Sequence, residues 1–81
     1  MPKRQMWSCD IGAQWRGQPV FHDARITLAH VELLAPGDNA QALLEPLDTA
    51  LWTHVTPGME FTVHEGRPVR GRVKVLERVE G

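Results

Sequence analysis

Cysteine is almost absent from this sequence, which has Cys9 alone among its 81 residues. A single thiol cannot form an internal disulfide, and no second cysteine is present to share a zinc ion. A reducing compartment therefore fits this composition best. Because no base is evident beside Cys9, its side chain is predicted to be a small, partly buried apolar residue rather than a nucleophile.

Long apolar runs are missing as well. Two basic residues, Lys3 and Arg4, lie near the N-terminus, but no apolar run follows them, so no signal peptide is predicted. No stretch approaches the roughly 18 apolar residues that a membrane-spanning helix needs. We therefore expect a soluble, cytoplasmic protein without a membrane partner.

The motifs of known catalytic and metal sites are also lacking. None of the histidines stands in a metal-binding pattern, and Ser8 is not part of a nucleophile elbow. The glycine-rich sequences that cradle nucleotide phosphates do not occur. We expect no catalytic residue, no metal, no cofactor and no bound nucleotide, and hence no enzyme. The histidines are His22, His30, His54 and His64.

The composition indicates one small globular domain over residues 1–81, with residues 1–5 frayed. Hydrophobic residues make up 42% of the chain and charged residues 23%, which is ordinary for a folded domain. A domain of this size buries only about 60–65% of the surface that its unfolded chain exposes. Its margin of stability is therefore small, and a deep active-site cleft is difficult to build.

Charge is distributed unevenly, although the formal net charge is only −1. Residues 26–66 contain no lysine or arginine, whereas the chain from Arg67 onward is mainly basic. Such a separation either directs the domain toward a charged partner or pairs opposite charges on neighbouring strands. The acidic residues of the middle segment are Glu32, Asp38, Glu45, Asp48, Glu60 and Glu65, and the basic residues of the tail are Arg67, Arg70, Arg72, Lys74 and Arg78.

The pattern of apolar residues predicts an all-β fold. In the segment 20–34 the apolar residues change parity, which predicts a bulge at Ala29-His30, with a helix over residues 23–34 as the alternative. Residues 48–56 are predicted to be a connector. The predicted strands are residues 6–9, 20–34, 40–47, 59–64 and the segment that begins near Arg67.

Turn residues separate these strands. Pro36-Gly37 and Pro57-Gly58 have the sequence of type II turns, and Glu65-Gly66 predicts a short hairpin turn. Pro46 interrupts its strand, which favours an edge or a bulge, and a helical turn over residues 40–44 stays open. Turns at this spacing predict a small closed antiparallel β-barrel of about six strands, because closure leaves no strand edge exposed.

Arg70, Arg72 and Lys74 alternate along the last predicted strand. Residues two apart on a strand share one face at a spacing of roughly 6.5–7 Å, which is comparable to that of successive phosphates in a nucleic acid. The row is either a contact line for phosphates or for an acidic protein, or it is the solvated outer face of the domain. The tryptophans either stack on bases or fill the core. They are Trp7, Trp15 and Trp52.

Three ordered blocks resemble the C-terminal β-barrel domain of elongation factor Tu and its short stand-alone relatives. Residues 35–39 are similar to the family's Met-Pro-Gly-Asp-Asn turn, and residues 44–47 to the strand with a Pro-aliphatic step that follows it. Residues 57–69 are similar to the family's Phe-Ala-Ile-Arg-Glu-Gly-Gly-Arg-Thr-Val hairpin and to the relatives' Pro-Gly-Met before it. The match degrades toward the N-terminus, and the last strand has cations where the family has small or apolar residues.

The resemblance implies a non-catalytic barrel of the translation-factor type. In the full factor this barrel packs against the GTPase domain and contacts the T-stem backbone of aminoacyl-tRNA, and Glu65 and Gly66 align with turn positions at that contact. GTP hydrolysis is not implied for a lone barrel. The expected function is a stand-alone binding module for tRNA-like RNA or for a translation-related protein. The expected contact residues are Glu65, Gly66, Arg67, Arg70, Arg72 and Lys74.

An alternative function stays open. The chain is then a small protein-interaction regulator or immunity-type protein that does not bind RNA and uses its acidic middle segment as the contact face. A monomer or a weak homodimer is expected in either case, because a proline-interrupted strand leaves an edge available for pairing.

Overall fold

The computed structural model describes residues 1–79, which form an all-β fold, so the predicted fold class is confirmed. These residues contain no α-helix, and the helical segment present is a single 3-10 turn, Thr49–Trp52. The strands are β1 (Arg4–Asp10), β2 (Gln14–Trp15), β3 (Gln18–Pro19), β4 (His22–Leu28), β5 (Ala42–Pro46), β6 (Glu60–His64) and β7 (Val69–Lys74). No helix in this part of the chain is long and apolar enough to cross a membrane.

Five strands form one antiparallel sheet in the order β5-β4-β1-β6-β7, and β2 and β3 pair in a separate ribbon. The central strand β1 pairs with β4 along most of its length, but with β6 only over residues 8–10. No closed barrel is found in residues 1–79, which corrects the barrel prediction. Closure requires the two outermost strands to pair, whereas β5 and β7 are opposite edges of an open sheet.

The core lies on one face of this sheet. Alternation along the strands turns every second residue of β1, β4 and β6 to that face, as period-two patterning requires. The 3-10 turn and the chain after it cover the face from the other side. The buried residues of this core are Trp7, Cys9, Ile11, Ala24, Ile26, Trp52, Val55, Phe61 and Val63.

Strand β4 is shorter than the sequence predicts. Its buried residues keep one parity as far as Leu28, and the chain leaves the sheet at Ala29-His30, where a bulge was expected. The alternative helix over residues 23–34 is wrong, since residues 22–28 are extended. Leu33, which suggested a change of parity, instead lies in the following loop and forms an isolated bridge with Pro2.

Both predicted Pro-Gly turns are confirmed. The Asp38 N–H donates to the Ala35 carbonyl at 3.0 Å, and the Met59 N–H donates to the Thr56 carbonyl at 3.1 Å. Gly37 has a φ of +87° and Gly58 a φ of +93°. These are left-handed values that a type II turn requires at its third position and that glycine adopts without strain.

Met1 and Arg78 are held by hydrogen bonds to the body of the domain. Within residues 1–5, for which the sequence predicts fraying, the Met1 amino group donates to the Leu34 carbonyl at 2.7 Å. Near the other end, Arg78 Nη1 donates to the carbonyls of Trp52 at 3.0 Å and Val55 at 2.9 Å. The second set fixes the segment that covers the core.

Candidate functional site

The hairpin of β6 and β7 carries every residue of the predicted contact. Its loop spans residues 65–68, with the Glu65 N–H donating to the Pro68 carbonyl at 3.2 Å, so the turn is longer than a two-residue one. Gly66 has a φ of +68°, which favours glycine at this position. The predicted contact residues, Glu65, Gly66, Arg67, Arg70, Arg72 and Lys74, are all exposed.

A β-bulge interrupts the regular spacing of the cations. Val63 pairs with Gly71 but His64 pairs with Val69, so Arg70 is an extra residue on β7 with no direct partner on β6. Its Nε lies 3.5 Å from Glu65 Oε2 in the loop. The predicted even row of three cations is therefore wrong. Bulges redirect a side chain in this way when one strand has an additional residue.

Arg72 and Lys74 keep the predicted two-residue spacing beyond the bulge. Arg72 lies opposite Thr62, and Lys74 lies opposite Glu60. Within residues 1–79 the ion pairs are Arg70–Glu65 and Lys3–Glu32. In that part of the chain Arg67, Arg72 and Lys74 have no ion pair. Three exposed cations at a sheet edge are thus available to an anionic ligand, with Glu60 as the nearest opposite charge in the strand register.

His64 holds the loop onto the sheet. Its Nδ1 donates to the Arg67 carbonyl at 2.9 Å, and its Nε2 lies 2.7 Å from the Thr62 hydroxyl oxygen. The ring also stacks on Phe21, with centroids 4.3 Å apart and planes at 19°. His64 is buried, so these contacts are shielded from water. The sequence has no metal-binding pattern around this histidine, and no motif signals its role in positioning the loop.

The tryptophans divide between core and surface. Trp7 and Trp52 are buried, as in the alternative in which the tryptophans fill the core. Trp15 is 67% exposed at the tip of the β2–β3 ribbon, and the Arg16 guanidinium carbon lies 5.3 Å from its ring centroid. This tip is separate from the hairpin of β6 and β7 in the sheet topology.

The part of the chain that the structure describes has no deep pocket beside the cations. A shallow groove of about 350 Å³ runs along the ends of β1 and β6. No group of three or more histidine, cysteine, aspartate or glutamate side chains is arranged to hold a metal ion in residues 1–79. The groove is lined by Asp10, Ile11, Gly12, Met59, Glu60, Phe61 and Thr62.

Cys9 is buried at the centre of the core, in agreement with the apolar role predicted for it. Burial and, to a smaller extent, the nearby Asp23 carboxylate together raise the pKa of the Cys9 thiol from 9.0 to about 12. A thiol that stays protonated is a poor nucleophile. Cys9 is therefore a structural residue.

The buried thiol predicts a loss of stability in alkaline solution. Between the unfolded pKa near 9 and the folded value of about 12, only the unfolded chain releases the proton, so the free energy of unfolding falls as pH rises. We expect a decrease of roughly 2–4 kcal/mol across this range. Urea unfolding at several pH values measures it. Cys9→Ala is the control, and an unchanged slope in that variant contradicts this origin.

The chain matches no family model, no curated protein and no solved structure. The resemblance to the elongation factor Tu barrel therefore stays a prediction. The function proposed below is based on the charges, exposure and register of the hairpin of β6 and β7.

Proposed function

We propose that this protein is a non-catalytic binding module for structured RNA, and that it contacts the phosphate backbone with β7 and the loop before it. The observation that supports this proposal is the group of exposed cations on one hairpin, Arg67, Arg72 and Lys74, which have no ion pair within residues 1–79. Phosphate contacts from arginine and lysine position a protein on a nucleic acid without reading its sequence.

The place of these cations in the sheet favours contact with an extended anionic backbone. Since β7 is an edge strand of the described sheet, no neighbouring strand within residues 1–79 covers its outer side. Arg72 and Lys74 lie two residues apart, which corresponds to roughly 6.5–7 Å along a strand. Arg67 extends the basic surface into the loop, while Glu65 is occupied by its ion pair with Arg70.

The number of cations limits the strength of binding. Three phosphate contacts predict that the logarithm of the association constant falls with the logarithm of salt concentration with a slope of about −2 to −3. The formal net charge of −1 supplies no long-range attraction to RNA. We therefore expect weak binding that is measurable at low salt and lost at physiological salt.

Filter binding with tRNA at low and at moderate salt tests this function. We expect Arg72→Gln combined with Lys74→Gln to weaken binding at low salt by about tenfold or more and to reduce the salt slope by about 1.5–2. The matched control combines two arginines outside the hairpin, Arg16→Gln and Arg25→Gln. It changes the net charge equally, and Arg16 lies between β2 and β3 of the separate ribbon while Arg25 lies on β4, which is not adjacent to β7.

Two results contradict the proposal. Failure of the wild-type protein to bind tRNA at low salt excludes RNA as the ligand. An equal loss in the control variant shows that binding depends on overall charge and not on β7.

A protein partner is the second candidate, favoured by the absence of lysine and arginine from residues 26–66. Glu45 on β5 and Asp48 after it are both exposed. Asp48 also accepts a hydrogen bond from the Ala50 N–H and so caps the 3-10 turn. Asparagine removes the charge of residue 48 and still accepts that hydrogen bond. A pull-down that retains the same partners with Glu45→Lys and Asp48→Asn counts against this candidate.

A further inference from the structure

The two edges of the sheet differ in their protection against pairing with another strand. Arg72 and Lys74 disfavour pairing of β7 with another strand, because charged side chains on an edge repel a second copy of the same edge. The other edge, β5, has the sequence Ala-Leu-Leu-Glu-Pro and contains no lysine or arginine. Its Leu43 is 54% exposed. Glu45 and Pro46 protect only the end of β5, so the part of the two edges most open to strand pairing is residues 42–44.

The hydrogen bonds of β5 show which backbone groups face outward. The Leu47 N–H donates to the Asp23 carbonyl at 3.0 Å, and the Ala29 N–H donates to the Gln41 carbonyl at 3.0 Å. In an antiparallel pair the bonding direction alternates with each residue. Residues 41, 43, 45 and 47 therefore bond toward β4. The N–H and C=O groups of Ala42 and Leu44 point away from the sheet.

Pro46 fits the same pattern. It occupies a position whose backbone groups point away from β4, so its missing N–H costs no hydrogen bond to β4. This placement explains how proline is tolerated at the end of the strand, and it agrees with the edge position predicted from the sequence. The proline limits pairing only at its own position, so Ala42 and Leu44 remain able to bond a second strand.

We propose that β5 pairs in antiparallel fashion with β5 of a second copy of this chain, around a two-fold axis at Leu43. The two five-stranded sheets then form one continuous sheet of ten strands. In this register Ala42 of each copy lies opposite Leu44 of the other. Both outward N–H groups and both outward carbonyls of each copy are then satisfied across the axis.

The side chains favour this register over axes at Leu44 and at Glu45. Leu43 faces Leu43 of the second copy, which removes an exposed apolar side chain from water, and Glu45 faces Gln41. An axis at Leu44 instead places Pro46 opposite Ala42 and loses the bond that the proline cannot donate. An axis at Glu45 places two carboxylates directly opposite each other, which is destabilising.

The dimer is independent of the proposed RNA contact. Pairing through β5 leaves both β7 edges free at the far ends of the joined sheet. A five-residue strand covers much less area than the roughly 1,200–2,000 Å² of a stable interface. We therefore expect a weak dimer with a dissociation constant in the micromolar range or above.

Cross-linking tests the axis directly. Leu43 of the two copies forms a non-hydrogen-bonded pair, for which the Cα atoms lie about 4.5 Å apart, within the range for a disulfide. We expect Leu43→Cys to form a disulfide-linked dimer in a glutathione redox buffer. Cys9 does not compete, because it is buried. Non-reducing electrophoresis and mass spectrometry detect the product.

Glu45→Cys is the matched control on the same strand face. In the proposed register the two positions 45 are separated by four residues along the strand, about 13 Å, which is too far for a disulfide. We expect its cross-linking to be at least tenfold slower than that of Leu43→Cys. Equal rates, or no cross-link at position 43, overturn the proposal.

Sedimentation equilibrium tests the same pairing without a thiol. We expect Leu43→Lys and Leu43→Glu each to weaken the dimer by about tenfold or more, since like charges then face each other. An equimolar mixture of the two variants should regain dimer, because opposite charges meet at the axis. A wild-type chain that stays monomeric up to about 1 mM, or a mixture that gains nothing, overturns the proposal.

Discussion

Replacing Trp52 by alanine is expected to lower the free energy of unfolding by about 3–5 kcal/mol, as for other large-to-small substitutions in a core. Trp52 is buried, and its ring meets Phe61 edge to face with centroids 5.6 Å apart. For a domain of this length the total stability is roughly 4–12 kcal/mol. The variant should therefore be largely unfolded at moderate urea concentrations. Urea unfolding followed by far-UV circular dichroism measures the change.

Trp52→Phe separates the loss of aromatic packing from the loss of the indole N–H at the same position. Trp52 Nε1 is buried and has no hydrogen-bond partner among the described residues. Phenylalanine keeps an aromatic ring against Phe61 and removes that unpartnered donor, so the loss should be only about 1–2 kcal/mol. A Trp52→Phe variant as unstable as Trp52→Ala contradicts the claim that ring packing dominates here.

Replacing His64 by alanine is expected to cost about 2–4 kcal/mol and to release the loop over residues 65–68. The substitution removes the stack on Phe21 and leaves the Arg67 carbonyl without its donor. Affinity for tRNA should fall with no change in the cations of β7, because Arg67 is no longer held beside the sheet. Hydrogen exchange at the Glu65 amide reports the release of the loop independently of RNA.

His64→Phe is the control for the ring. It preserves an aromatic surface for Phe21 but makes neither of the hydrogen bonds to Thr62 and Arg67. We expect about half the destabilisation of His64→Ala, with the loop still released. If His64→Ala unfolds within about 0.5 kcal/mol of the wild type, the histidine does not hold the loop.

The sequence predicted best those features in which two adjacent residues determine the backbone conformation. Both Pro-Gly turns follow from the φ values that these two residue types adopt. The alternation of Phe61 and Val63 with polar neighbours is strict, so the core face of β6 was predicted correctly. The all-β class follows from many such short segments.

Prediction failed where distant segments compete for the same residues. Val31 and Leu33 continue the apolar segment in the opposite parity, but the chain leaves the sheet after Leu28. The apolar pattern of a strand does not state how many residues its neighbour can pair with. The sequence likewise did not predict that the sheet stays open, since closure depends on pairing between strands that are far apart in sequence.

The candidate contact shows the same division. The residue types and their clustering after Gly66 are visible in the sequence, and all the predicted contact residues are exposed. The extra residue that turns Arg70 toward Glu65 is decided by the register between β6 and β7. Register is a property of two paired strands and cannot be read from the sequence of one of them. The regular alternation within β7 therefore predicted an even row of cations.

The sequence by itself determined the all-β class, the Pro-Gly turns, the buried role of Cys9 and a basic hairpin after an acidic middle segment, because these depend on residue type and near neighbours. Only the tertiary structure decided that the sheet is open, that Arg70 leaves the row of cations and that His64 holds the loop. Each of these depends on contacts between segments that the folded chain alone brings together.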